Sequence, residues 1–170
     1  MKTVDATFEV QKENYSIVYE AVNFYESSHC VENWQFTDEH KGGVTIKVKN
    51  AGRSDYKYAI PQHYELSQLM SDYSKQGRVN PSQEAYKSLQ DELQRDLEAS
   101  NYILFASVVD NNGNTVLNSF SLAYSFDWCY LDGEDLEERL KEEVSNSGAE
   151  GEVLERLEAL KDSVMNIFNI

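Results

Sequence analysis

The sequence predicts an α+β fold, with a mainly antiparallel sheet of about five or six strands, helices on one side and a C-terminal antiparallel helical hairpin. Three observations predict this architecture. Several segments alternate hydrophobic and polar residues, as strands with one buried face do. Other segments place hydrophobic residues three or four positions apart, as amphipathic helices do. The last two helical segments are joined by a short polar link, which favours antiparallel packing.

The first sixty residues are predicted to form a strand, a helix and a short hairpin. Residues 3–10 alternate, which predicts the strand. Residues 14–28 begin with a capping asparagine and carry hydrophobic residues at helical spacing, which predicts a helix. Residues 34–48 contain two alternating stretches around a Gly-Gly turn, the pattern of a β-hairpin. Residues 56–60 alternate again and predict a short strand that the following proline ends.

The middle of the chain is predicted to contain two helices and a pair of strands. The first helix has its hydrophobic stripe over residues 66–73, with Pro61 near its start and Gly77 just beyond its end. The second begins at the capping-box sequence of residues 80–83 and has its stripe over residues 86–97. Residues 102–109 are hydrophobic on both faces, as a central, covered strand would be. The glycine-containing turn 110–114 leads to a return strand over 115–126. These two strands are expected to pair antiparallel at or near the centre of the sheet.

The last third of the chain is predicted to be helical. Asp132 is expected to cap a helix whose buried face carries Leu136, Leu140 and Val144. Residues 145–148 break that helix, and hydrophobic positions over 154–167 predict a final one. We therefore expect a single domain over residues 1–170, in which residues 127–170 form an acidic helical hairpin on an α+β core of residues 1–126.

The net charge excludes several classes of function. Thirty acidic and fifteen basic residues give a formal charge of −15. A charge of this size repels DNA, RNA and anionic membranes, so direct binding to nucleic acid or to a membrane is not expected. The sequence has no hydrophobic run of membrane-spanning length and no apolar stretch typical of a signal peptide at its start. Two cysteines are too few for a disulfide framework, which indicates reduced thiols and a cytoplasmic location.

The acidic residues are concentrated at the C-terminal end. Residues 127–170 contain thirteen acidic and four basic residues, a net charge of −9. In the predicted helix, Glu134, Glu138 and Glu142 stand at i, i+4 and i+8, a row of like charges that disfavours its own helix. Such a row can imitate the phosphates of a nucleic acid and enter a basic groove. It can equally be a solvated helix face that keeps the protein soluble.

Seven residues are predicted to contact a protein partner: the acidic group Glu134, Asp135, Glu138, Glu142 and Glu143, with Tyr56 and Tyr58 as aromatic anchors. For the two tyrosines, packing on the face of the sheet is the competing interpretation.

No motif in the sequence indicates catalysis, a metal ion or a cofactor. The three histidines and two cysteines lack the spacing of metal ligands. A nucleophilic pair of cysteine and histidine could be assembled only in three dimensions, from Cys30 or Cys129. Residues 110–114 resemble a calcium loop, but glycine and the terminal glutamate are not at the required positions. We therefore expect a protein that is not an enzyme, without a metal or cofactor.

In composition and charge distribution the chain resembles the small acidic inhibitors that phages and plasmids use against host nucleases, including antirestriction and anti-CRISPR proteins, and nuclease-immunity proteins. This resemblance implies an inhibitor that binds a basic nucleic-acid-handling protein. The alternative is a small enzyme or ligand-binding domain, with a pocket between sheet and helices lined by Ser119, Ser121 and Ser125. A structural subunit that pairs through an exposed sheet edge is a third possibility.

Overall fold

The chain folds into α-helices and antiparallel strands, as the sequence predicts. The computed structural model describes residues 3–49 and 54–168, which contain four α-helices, one four-stranded sheet and one three-stranded sheet. The described residues divide into two compact units. Unit 1 comprises the described parts of 1–26, 101–128 and 134–170, and unit 2 comprises those of 27–100 and 129–133. The described residues thus contain seven strands in two sheets, where the sequence predicts one sheet of about five or six strands. The single-domain organisation stays a prediction.

Unit 1 consists of the four-stranded sheet and the two C-terminal helices. The strands follow the order β1-β2-β6-β7, and their bounds are β1 Thr3–Gln11, β2 Tyr15–Ser27, β6 Ser100–Asp110 and β7 Thr115–Trp128. The helices are α3 Leu136–Asn146 and α4 Ala149–Phe168. Both helices contribute to a core on one face of the sheet, where alternate residues of the strands are buried. Its largest fully buried side chains include Ile17, Tyr19, Leu104 and Leu140.

The predicted helix over residues 14–28 is wrong, because this segment forms β2. Ile17, Tyr19 and Ala21 are fully buried at every second position, and β2 pairs antiparallel with β1 along their length. Asn14 lies in the tight link between the two strands rather than at a helix cap. The hydrophobic residues fit both periodicities, and the β-branched and aromatic side chains favour the strand.

The predicted strand pair at residues 102–126 is confirmed in part. β6 and β7 are neighbours joined by a short turn, in which the amide of Asp110 donates to the carbonyl of Asn114 at 2.9 Å. A link this short requires antiparallel strands. β6 is an inner strand with side chains buried or half-buried on both faces, whereas β7 is the outer strand of the described sheet.

Unit 2 packs two helices against the three-stranded sheet. Its elements are β3 Trp34–Thr37, β4 Ile46–Lys47, β5 Tyr58–Pro61, α1 Leu66–Lys75 and α2 Pro81–Glu98. Both helices match their predicted positions. The predicted hairpin over residues 34–48 is wrong in its pairing, because β5 lies between β3 and β4 and pairs antiparallel with both. Ala59 of β5 thereby faces Phe36 on one side and Ile46 on the other.

The C-terminal helices begin and end close to their predicted positions, with one correction. Asp132 lies in a short 3-10 turn, Tyr130–Asp132, and Asp135 is the residue that caps α3. Ser147 and Gly148 separate α3 from α4. Antiparallel packing of α3 against α4 stays a prediction. None of the helices in the described part of the chain combines the length and the hydropathy of a membrane span.

Candidate partner-binding surface

The acidic surface predicted at residues 134–143 is built around the start of α3. The carboxylate of Asp135 accepts a hydrogen bond from the backbone amide of Glu137 at 3.1 Å, which caps the helix. Glu134 precedes the helix, and its carbonyl accepts a hydrogen bond from the indole nitrogen of Trp128 at 3.0 Å. On the opposite side of α3, Leu140 and Val144 are buried in the core of unit 1. This burial directs the charged residues between them outward.

The bases of α3 are each shared by two carboxylates. Lys141 Nζ lies 3.2 Å from Glu137 Oε1 and 2.9 Å from Glu138 Oε1. These hydrogen bonds, first that of Glu138, raise the pKa of Lys141. Arg139 lies 3.7 Å from Glu142 and 3.5 Å from Glu143. Lys141 therefore lies between Glu137 and Glu138, and Arg139 lies between Glu142 and Glu143.

The predicted row of Glu134, Glu138 and Glu142 is wrong as a helical ladder. Because α3 begins at Leu136, only Glu138 and Glu142 lie within the helix, and each has a basic neighbour. Their side chains are nevertheless 65% and 61% exposed. The α3 surface is therefore a mixed network with an excess of accessible carboxylates, rather than a bare row of like charge.

A bare row does occur on α4, where the sequence prediction did not place it. Glu155, Glu158 and Asp162 are exposed, and none of the three forms an ion pair with the described residues. Their spacing of three and four residues aligns them along one face of the helix, about 5 Å apart by helical rise. This face lies opposite Val153 and Leu157, which pack into the core of unit 1. The spacing of the three acids relative to Val153 and Leu157 is the sequence signal from which this row could have been identified.

The two predicted aromatic anchors belong to unit 2, whereas the acidic residues belong to unit 1. The ring of Tyr56 is 48% exposed and stacks on Phe36 with a centroid distance of 6.1 Å. Tyr58 lies within β5, half-buried, and contacts His40 edge to face at 5.3 Å. Both tyrosines thus pack on aromatic neighbours of their own sheet or its loops. Tyr56 retains enough exposed surface to contact another protein.

The surface clefts in the described part of unit 2 include two that lie against its helices. One, of about 470 Å³, is lined by α2 and by the segment after β7. Its wall includes the ion pair of Arg95 with Asp132, with Nε to Oδ1 at 2.5 Å, and Gln94, whose Oε1 has no partner among the described residues. The other cleft, of about 440 Å³, lies between β5 and the start of α1.

The alternative interpretation predicts a pocket lined by Ser119, Ser121 and Ser125, and neither of these two clefts contains those serines. Ser119, Ser121 and Ser125 are exposed on β7 in unit 1, and Ser119 donates a hydrogen bond to Glu20 at 3.1 Å. Both clefts described in unit 2 are lined by other residues. The serines therefore form part of an open surface.

Cysteine and histidine side chains are the groups from which a nucleophilic pair or a metal site would be built. Cys129 is buried, and this burial raises the pKa of its thiol. Cys30 is half-buried, and neither cysteine, both of which lie in the described part of the chain, forms a disulfide. Within residues 3–49 and 54–168, no cluster of three histidine, cysteine or acidic side chains has the geometry to hold a metal ion.

No protein-family model matches the chain, and neither a curated protein nor a solved structure is significantly similar to it.

Proposed function

We propose that the protein is a non-enzymatic inhibitor that binds a basic nucleic-acid-handling protein, of the antirestriction, anti-CRISPR or nuclease-immunity type. In this proposal, α3 and α4 form an antiparallel hairpin that presents carboxylates to a groove which otherwise holds DNA or RNA. The inhibitor acts in the cytoplasm, where such a partner handles nucleic acid. It needs neither a cofactor nor a metal ion.

The unpaired row on α4 carries this proposal. Glu155, Glu158 and Asp162 repeat a negative charge about every 5 Å along the helix, on the order of the 3.4 Å per phosphate of one DNA strand. A carboxylate without its own cation can meet a lysine or arginine of a partner without first losing an internal ion pair. Glu138 and Glu142 of α3 add accessible negative charge. Each of these carboxylates would have to bind a cation of the partner protein while it remains close to Lys141 or Arg139 of its own helix.

Net charge supports the same class of partner. A charge of −15 accelerates association with a basic surface and slows association with acidic ones. The bound inhibitor would occupy the groove without any base being read, because phosphate contacts give affinity that is independent of sequence. Such binding must weaken as salt rises.

A comparison of two charge-matched variants tests the proposed function. One variant, E155Q/E158Q/D162N, removes the row on α4. The other, E9Q/E13Q/E39Q, removes three exposed charges elsewhere and reaches the same net charge. Wild type and both variants are immobilised and exposed to lysate of the cells that encode the protein, and retained proteins are eluted with a salt gradient and identified. The recovered protein is then assayed for nucleic-acid binding with and without each inhibitor form.

We expect wild type and E9Q/E13Q/E39Q to retain the same basic protein and to block its binding to nucleic acid. E155Q/E158Q/D162N should bind about tenfold more weakly, because three exposed ion pairs of up to about 1 kcal/mol each are lost. It should also elute at lower salt. Equal elution of the two variants would contradict the role of the row, and retention of no nucleic-acid-handling protein would contradict the function itself.

A further inference from the structure

The C-terminal half of α4 carries a hydrophobic stripe that unit 1 does not cover. The stripe begins with Val153, which is fully buried, and Leu157, which packs on the same core. From Glu158 to Phe168 every residue is exposed. The hydrophobic positions nevertheless continue along the same face, with exposed fractions of 37% for Leu160, 44% for Val164, 74% for Ile167 and 66% for Phe168. A protruding helix of three turns gains little stability by itself, so the stripe requires a covering partner.

The spacing of the stripe is that of a coiled coil. Val153, Leu157, Leu160, Val164 and Ile167 are separated by four, three, four and three residues. This is the alternation of a and d positions in a heptad repeat, which keeps one seam facing a second helix. The branched side chains at these positions are those that fill the holes of a facing helix.

The charge of the segment distinguishes between possible covering partners. Residues 163–168 contain no charged side chain, and the two residues before them, Lys161 and Asp162, carry opposite charges. In a chain of charge −15, this is a surface on which a second copy can approach without bringing carboxylates together. A basic protein would find the complementary charge on the opposite face of α4, at Glu155 and Glu158.

We infer that the stripe of Leu160, Val164 and Ile167 binds the same stripe of a second copy of the chain. The two helices pack antiparallel, each a position facing a d position of the other, so that one surface serves both subunits. The protruding segment of eleven residues is about 16 Å long by helical rise. Antiparallel packing therefore keeps the acidic bodies apart by more than the Debye length of about 8 Å, whereas parallel packing would place them side by side.

The inferred dimer is independent of the proposed function, because salt acts on it in the opposite direction. Raising the ionic strength screens the repulsion between two acidic copies and strengthens hydrophobic contact. Binding to a basic partner weakens under the same change. A single pair of short helices lies at the small, transient end of protein interfaces, so association should depend strongly on concentration.

Sedimentation equilibrium of the full chain, over a range of concentrations at low and high salt, tests this inference. We expect a mass that rises from 19.5 kDa toward twice that value, and that rises more readily at high salt. V164S/I167S should weaken association by about tenfold for each truncated side chain. A159S/N166S makes two neutral changes on the outward face of the same segment and should leave association unchanged.

Circular dichroism of both variants checks that α4 is still folded. A protein that stays monomeric at every concentration and salt would overturn the inference. So would a dimer whose affinity V164S/I167S does not change, because another surface would then hold the two copies together.

Discussion

Each of the two units buries a polar side chain in or beside its core, and the two differ in whether that group has a partner. In unit 2, Asp96 is 3% exposed, and its Oδ2 accepts a hydrogen bond from the indole nitrogen of Trp34 at 2.7 Å. In unit 1, Tyr19 is fully buried, and its hydroxyl has no hydrogen-bond partner among the described residues. Asp96 thus connects α2 to β3 through a hydrogen bond, whereas Tyr19 stabilises unit 1 through the packing of its ring and not through its hydroxyl.

The two units also differ in where their acidic groups lie, because unit 2 buries the carboxyl group of Asp96 whereas unit 1 keeps its excess carboxylates exposed. Burial raises the pKa of Asp96, because a carboxylate loses hydration there, although the bond from Trp34 opposes the shift. The role of this carboxyl group in unit 2 is the hydrogen bond that it accepts from Trp34. The excess charge of unit 1 lies instead on exposed faces of α3 and α4, outside a core that is almost entirely hydrophobic. Changes at these faces should affect binding far more than folding.

The largest effect is expected when Asp96 is removed. D96A leaves the indole N–H of Trp34 buried without an acceptor, which costs about 1–3 kcal/mol of unfolding free energy. D96N keeps an acceptor oxygen and should cost less. Urea unfolding of the two variants at neutral pH measures both values. A loss in D96A no greater than in D96N would show that the bond to Trp34 contributes nothing to stability.

The pH dependence of the difference in unfolding free energy between wild type and D96N tests whether the pKa of Asp96 is raised in the folded protein. Because the pKa of Asp96 is raised above 3.8 in the folded state, its protonated form favours folding. Its contribution is fully present below pH 3.8 and is lost as the pH rises through the folded pKa. The stability of wild type relative to D96N should therefore fall as the pH increases over this range. A difference that stays constant, or that grows with pH, would contradict the raised pKa.

The sequence predicted the helices and most strands but neither of these buried groups. Periodicity places Leu89, Leu93 and Leu97 on one face of α2, and all three are buried as that pattern requires. Asp96 looks like one more acid in an acidic chain, because only the three-dimensional position of Trp34, 62 residues away, gives it a partner. Pairing of β5 with both β3 and β4 likewise depends on long-range contacts that local patterns do not contain.

The acidic surface of α3 and α4 was also predicted only in part from the sequence. Sequence counting correctly placed the excess of acidic residues in the last quarter of the chain. It misplaced the unpaired row, because a shift of the start of α3 from Asp132 to Leu136 removed Glu134 from the helix. The spacing of the α4 row relative to Val153 and Leu157 could have identified it, whereas the carboxylate that a shared lysine or arginine of α3 approaches is decided by rotamers.

A smaller effect, of opposite sign, is expected at Tyr19. Y19F removes a buried hydroxyl without a partner and keeps the ring that packs on Phe8, so it should stabilise the protein by about 1 kcal/mol. Y86F is the matched control, because the hydroxyl of Tyr86 accepts a hydrogen bond from the amide of Lys47 at 3.0 Å and its loss should destabilise. Urea midpoints measure both.

Alkaline titration provides a second check on Tyr19. Burial, with a smaller contribution from Glu150, raises its pKa to about 12 from 10.0. The neutral phenol therefore favours the folded state, and wild type should lose stability relative to Y19F as the pH rises from 10 toward 12. If Y19F were destabilised as much as Y86F, the hydroxyl of Tyr19 would have a partner in solution.

The smallest effects are expected on the exposed helices, where the sign should depend on pairing. E155Q/E158Q/D162N removes like charges that form no ion pair with the described residues, so it should raise the unfolding free energy by a few tenths of a kcal/mol. E138Q/E142Q removes one of the two carboxylate partners of Lys141 and one of the two of Arg139 on α3, so it should lower stability slightly. Glutamine retains most of the helix propensity of glutamate, which leaves charge as the main variable. Thermal unfolding at low salt compares the two variants, and high salt should bring both close to wild type. If both variants shifted stability in the same direction at low salt, total charge rather than local pairing would control these helices, and the distinction between the paired carboxylates of α3 and the unpaired row of α4 would fail.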